Sequence, residues 1–371
     1  MKKNLKKWTS LAATMLLGAS LIAGCSSGST PNETASDAGK GAAAGTKDEG
    51  LSKELNLFIW SEYIPQSVLD QFQQKYGVKI NYATYASNEE MFAKLAVDSS
   101  SYDLSVASGY MVEAMKKQNL LAEIDHANIP NLKNVGKEFL TTPSDPESKF
   151  SVPYLWGNVV IAVNTDKVKI PIKGYKDLFN PELKQQLVVL DDARSMIGLA
   201  NIMQGKSINE TDSAVLQKSK QLLIDLKPNV KAFDSDSPKT LLLNGEATAG
   251  IMYGAEASLA RRENPSIKTI LPEEGFELWQ DDFVIPKNSP HKKTAEAFIN
   301  FILQPEISAE ISKEFPYANP NMEAHKLMDK AILEDPAVYP PQEDMKRGQY
   351  MIDLGEKSQE LDRIWSELKL Q

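Results

Sequence analysis

The segment LNLFIWSEYIPQSVLDQFQQKYGVKINYATYASNEEMFAKLAVDSSSYDLSVASGYMVEAMKKQ, residues 55–118, decides the fold class. Within it, short apolar runs alternate with stretches of helical period. Residues 55–60 form a nearly unbroken apolar run of strand length. Residues 67–76 put Val68, Leu69 and Phe72 on one helical face, and Gly77 supplies a left-handed stop. Residues 78–82 alternate apolar and polar side chains, which predicts a second strand. Ser87-Asn88-Glu89-Glu90 is a capping box that opens a helix bearing Met91, Phe92 and Leu95. Residues 102–107 read as a third strand and 110–118 as the helix that follows. Alternation of this kind predicts an α/β fold with a mostly parallel sheet covered by helices on both faces.

The same pattern continues downstream. Strands are expected at 159–163, 187–190, 247–253 and 283–286, then a helix over 292–303 opened by Ser289 and Pro290. There is no internal repeat. A chain of 371 residues exceeds what one core of ordinary size serves, so two domains are expected.

The N-terminus carries a separate message. Lys2, Lys3, Lys6 and Lys7 precede an apolar run over 8–23, which ends in Leu21-Ile22-Ala23-Gly24-Cys25. That run is too short for a lasting membrane span. Small residues just before a cysteine resemble a bacterial lipoprotein signal, which implies cleavage after residue 24 and a lipidated Cys25. Cys25 is the single cysteine of the chain, so it has no disulfide partner. Residues 25–50, rich in Ser, Gly, Ala and Thr, cannot bury enough apolar surface to fold and are expected to be a flexible tether. Removing residues 1–24 takes away four lysines and no acids, which moves the net charge from −9 to −13. That balance disfavours nucleic acid as a partner and suits a cation.

In open α/β sheets, ligands sit beyond the carboxyl ends of the strands. Here those ends are aromatic and acidic. The first strand runs into Trp60-Ser61-Glu62-Tyr63 and the third into Ser108-Gly109-Tyr110. Asp191 and Asp192 follow the strand at 187–190, and Tyr253 and Glu256 follow the one at 247–253. Trp279 and Asp281 fall just before the strand at 283–286. Arg194 is the one basic residue interleaved among them. Ring faces attract ammonium groups, by roughly 0.5–2 kcal/mol each, and pack against methylenes. A buried ammonium also needs a carboxylate, or its desolvation dominates. Rings with carboxylates at intervals therefore fit a flexible oligo-amine.

Competing roles exist for single residues. Asp192 can pair with Arg194, Asp191 fits a helix N-cap, and Trp156 fits core packing. Glu62 and Asp281, each beside a tryptophan, are the strongest carboxylate candidates. No G-x-S-x-G, Cys–His pair or H-E-x-x-H is present, and His126, His291 and His325 share no ligand spacing, so neither metal nor cofactor is expected.

The ordered series LFIWSEY (57–63), YATYASNEEMFAKL (82–95), VPYLWG (152–157) and YANPN (317–321) resembles the polyamine-binding receptors of bacterial ABC importers. The likeness runs from Leu57 to Leu370. It implies the two-lobed type II periplasmic-binding-protein fold with discontinuous domains: 51–157 with 281–325 as lobe 1, 158–280 with 326–371 as lobe 2. By position it also implies that Trp60, Ser61, Glu62, Tyr63, Ser108 and Tyr110 line the cleft from lobe 1. Asp192, Tyr253 and Glu256 would line it from lobe 2, with Trp279 and Asp281 at the crossing. The expected partners are a polyamine, permease subunits with a separate ATPase, and the membrane through the lipid.

Three positions depart from the family pattern. Tyr253 stands where Trp is usual, Ser195 where Glu is common, and Met351 near a usually polar position. Glu256 matches the acid of putrescine-type receptors, so putrescine, spermidine or both remain open. The alternatives are a receptor for another organic cation, or a surface hydrolase using Glu62 and Asp281 as paired carboxylates.

Overall fold

The computed structural model describes residues 50–370, so the expected signal segment 1–24, Cys25 and nearly all of the tether lie outside the described residues. Ten strands form one continuous sheet: β1 Glu54–Trp60, β2 Lys79–Tyr85, β3 Leu104–Ser108, β4 Ser151–Asn164, β5 Leu187–Val189, β6 Val230–Phe233, β7 Ala249–Tyr253, β8 Ile267–Ile270, β9 Phe276–Val284 and β10 Gly348–Tyr350. Their order is β2-β1-β3-β9-β4-β7-β5-β6, with β8 beside β4 and β10 beside β9. The helices that matter here are α1 Gln66–Tyr76, α2 Asn88–Val97, α3 Gly109–Lys117, α4 Ala193–Met203, α5 Ser213–Leu226, α6 Pro238–Leu243, α7 Gly254–Glu263 and α8 Lys292–Ile302.

The parallel reading holds inside each half, for β2-β1-β3 and for β6-β5-β7. It fails where the halves meet, because β4 and β9 run antiparallel to each other and to their neighbours β3, β7 and β8. Strand β4 is shared. Its segment 151–158 pairs with β9, whereas 159–164 pairs with β7 and β8.

Two cores lie on either side of this junction. Leu57, Phe72, Phe283 and Phe298 anchor the first; Val159, Leu187, Ile197 and Leu216 anchor the second, which is also covered by Leu361, Ile364 and Leu368 of the C-terminal helix Ser358–Leu370. Fully burying one such side chain contributes about 1.5–3 kcal/mol. A smaller cluster at the junction joins Trp156 to Phe276, Leu278, Ala318 and Val338, so Trp156 has the packing role expected of it and also lines the cavity described below.

Local signals mostly translate into structure. Gly77 ends α1 at φ 68°, and Ser87 accepts the Glu90 N–H at 3.1 Å to start α2. The return arm of that capping box lands one residue early, since Glu90 Oε2 takes the N–H of Ala86. Helix α8 has His291 and not Ser289 at its cap position; the Ser289 hydroxyl donates to Asp103 and accepts the His291 N–H at 3.3 Å. Strand β4 starts eight residues before the expected 159, with Pro153 at a register shift where a ladder donor is not needed. Strand β9 starts at 276 rather than 283, so Trp279 and Asp281 lie within a strand and not before one. Its polar residues face a cavity, which breaks the apolar pattern a buried strand usually has. No helix among the described residues is long and apolar enough to cross a membrane.

Candidate ligand-binding cleft

A cavity of about 570 Å³ opens where β4 and β9 bridge the two cores. Of the expected site residues, Trp60, Ser61, Glu62, Tyr63, Ser108, Tyr110, Asp192, Tyr253, Trp279 and Asp281 line it. Glu256 does not. Period-two alternation puts Glu277, Trp279 and Asp281 on one face of β9, and Leu278, Gln280 and Asp282 of the other face also line the cavity.

Asp281 is the best-held carboxylate. Tyr63 Oη donates to Oδ2 at 2.9 Å and Ser108 Oγ to Oδ1 at 2.6 Å. Ser108 ends β3, opposite Asp281 in the antiparallel ladder, which explains the approach. Tyr63 is itself fixed, because its carbonyl accepts the Tyr154 hydroxyl at 2.6 Å. Burial pushes Asp281 up to about 6, against the hydrogen bonds from Ser108 and Tyr63 that pull it down. Its neighbour Asp282, bonded by Gln280 Nε2 at 2.7 Å, is pushed by burial to about 7.

The rings form a chain. Tyr63 meets Tyr317 edge to face at 5.1 Å, Tyr317 meets Trp279 at 5.5 Å, and Trp279 meets Tyr253 at 6.0 Å. Trp279 can lie flat against β4 only because residue 157 is glycine; a Cβ there would come within 2.5 Å of the indole. Tyr110 donates to Glu89 at 3.0 Å, and the Arg194 guanidinium sits 5.9 Å over its ring.

Several local readings need correction. Asp192, not Asp191, caps α4, accepting the Ser195 N–H at 2.7 Å, while Asp191 pairs with Lys369 at 2.7 Å on the surface. Asp192 makes no ion pair with Arg194, whose fork goes to Asn209 Oδ1 at 2.8 Å and the Ile352 carbonyl at 3.0 Å. Arg194 is also not the one basic residue near the acids. Lys239 of α6 reaches Glu62 Oε2 at 3.3 Å and Glu256 Oε2 at 3.1 Å. Its position in sequence, between two strands of the second half, gave no hint of this. Glu62 sits at the rim with φ 47°, and Ser61 Oγ donates to Asp236 at 3.2 Å.

Among the lining residues that escaped the sequence reading, two stand out. Tyr317 sits in a loop without strand or helix pattern. Glu277 could have been found, since it stands two residues before Trp279 and four before Asp281 on one strand face. No cluster of three or more His, Cys, Asp or Glu among the described residues is placed to hold a metal ion.

The match to the bacterial extracellular solute-binding protein family covers residues 67–340. The chain belongs to that family. Its sheet, shared strands and inter-lobe cleft are the two-lobed type II binding-protein fold. A spermidine/putrescine-binding periplasmic protein of Salmonella typhimurium is 35% identical over 317 residues, covering 85% of this chain and 91% of that one. A putative spermidine/putrescine ABC transporter structure from Listeria monocytogenes is 33% identical, with TM-score 0.84, over 86% of this chain and 99% of that one. A Treponema pallidum lipoprotein structure is 29% identical with TM-score 0.77, over 86% of this chain and all of the other.

Proposed function

We propose that this protein is an extracytoplasmic receptor that captures putrescine, spermidine or both and hands them to an ABC importer. The observation that carries the reading is Asp281, a buried carboxylate held by Tyr63 and Ser108 beside a chain of edge-on rings. One ammonium sits against Asp281, and the methylenes lie along Trp60, Trp279 and Tyr253. Relatives named for spermidine and putrescine support the ligand class. Binding proceeds without chemistry. Glu62 is engaged by Lys239 at the rim, so nothing favours a paired-carboxylate hydrolase.

Residues 51–157 with 281–325 form one lobe and 158–280 with 326–371 the other, and they close by bending where β4 and β9 cross. Closure requires ligand contacts from both lobes, which Asp281 and Tyr63 on one side and Asp192 and Tyr253 on the other supply. The closed form docks on permease subunits served by a separate ATPase. Residues 1–24 are removed and Cys25 carries the lipid, a reading that Cys25→Ser tests by release from membranes. Calorimetry with putrescine, cadaverine, spermidine and spermine tests the ligand class. Saturable heat with at least one of them is expected; no heat and no thermal shift at millimolar concentration sinks the reading.

A further inference from the structure

Glu277 has no assigned task, and its surroundings are unusual for a carboxylate. The residue is 4% exposed, it faces the cavity, and its Oε2 is buried without any hydrogen-bond partner. Among the described residues it makes no ion pair. The groups that act on it are Asp192, the cap of α4, with Ser195 and Arg194 of that helix and Asp281 on its own strand, and the phenols of Tyr175 and Tyr253 also face this region. Arg194 gives its terminal nitrogens to Asn209 and two backbone carbonyls, while its Nε, also buried without a partner, makes no ion pair with Glu277. Leaving a buried carboxylate oxygen unmet costs stability with no structural return. Asp192 raises the proton affinity of Glu277, and the Arg194 guanidinium offsets this only in part.

We infer that Glu277, a residue outside the family-implied set, joins Asp192 in holding the ammonium at the end of the cavity away from Asp281. The spacing fits. Glu277 and Asp281 are four residues apart on one strand face, about 13 Å at the usual rise. A linear amine lying along β9 puts one ammonium at Asp281, its methylenes over Trp279, and the other ammonium at Glu277. Burial and Asp192 push Glu277 up to about 8, so the empty site holds a proton near neutral pH. An arriving ammonium replaces that proton as the counter-charge, and the proton leaves to solvent. This rests on the amine-receptor reading above and goes one step beyond it.

The test compares wild type with Glu277→Gln, using putrescine and the monoamine n-butylamine. Calorimetry at pH 7.5 in two buffers of different ionisation heat reports both affinity and protons released. Putrescine affinity should fall about tenfold or more, the strength of a hydrogen bond to a charged group. Proton release should drop by up to about one. Thermal stability should hold or rise, and n-butylamine affinity should stay within about twofold, since its one ammonium uses Asp281. Unchanged putrescine affinity, unchanged proton release, or an equal loss for both amines would overturn the subsite. If wild type binds no amine at all, the receptor reading itself falls, a result that differs from any of these.

Discussion

Lys239 pairs with Glu256 at 3.1 Å, and the same ammonium lies 3.3 Å from Glu62, so one side chain bridges the loop after β1 to α7. Glu256 is 4% exposed while Glu62 stands at the rim. The two contacts should therefore differ in strength. Lys239→Met leaves Glu256 buried without a counter-ion and should cost roughly 1–3 kcal/mol of stability. Glu62→Gln should cost under about 1 kcal/mol and be masked by salt. Denaturant melts of both variants at low and high salt decide this; equal costs would refute the asymmetry.

Asp281 and Glu256 should differ just as clearly in binding. Asp281→Ala removes a carboxylate that lines the cavity and strands the Tyr63 and Ser108 donors, so diamine affinity should fall by two orders of magnitude or so. Glu256→Ala removes a group outside the cavity lining and already paired with Lys239, so its effect should stay within about tenfold. Titration calorimetry gives the ratio, and comparable losses would contradict the roles.

Tyr63 tunes the same carboxylate. Its hydroxyl lowers the Asp281 proton affinity against the effect of burial, the balance standing at about 6. Tyr63→Phe should raise that value, so more of Asp281 is protonated at pH 6 and less able to hold a cation. The binding loss relative to wild type should then be larger at pH 6 than at pH 8. A loss independent of pH would mean that Tyr63 acts through shape alone.

Stability without ligand should fall as pH rises. Glu277, Asp282 and Asp281 are pushed by burial to about 8, 7 and 6. Between the ordinary carboxylate range and these values the folded chain binds more protons than the unfolded chain, so unfolding becomes easier with increasing pH. The contribution of these groups is complete near pH 4 and lost as pH rises through about 6, 7 and 8 in turn. The melting temperature should be higher at pH 5.5 than at pH 8.5, and Glu277→Gln should flatten the slope. A melting temperature that rises over this window would rule out these groups as the source.

Much was legible along the chain because it depends on neighbours in sequence. Apolar period and glycine stops set β1, α1, β2 and α2, since a strand or helix is specified by residues two to four apart. The acids and rings at strand ends could be named for the same reason: topology sends those ends to one edge. Tertiary structure alone decided the rest. The extent of β9 was hidden because its cavity face is polar, so burial no longer tracks hydropathy. Glu256 turned from the cavity to Lys239, 17 residues away, and Glu277 came within electrostatic reach of Asp192, 85 residues away. Such pairings are chosen by which surfaces the folded sheet brings together, and no local pattern records them.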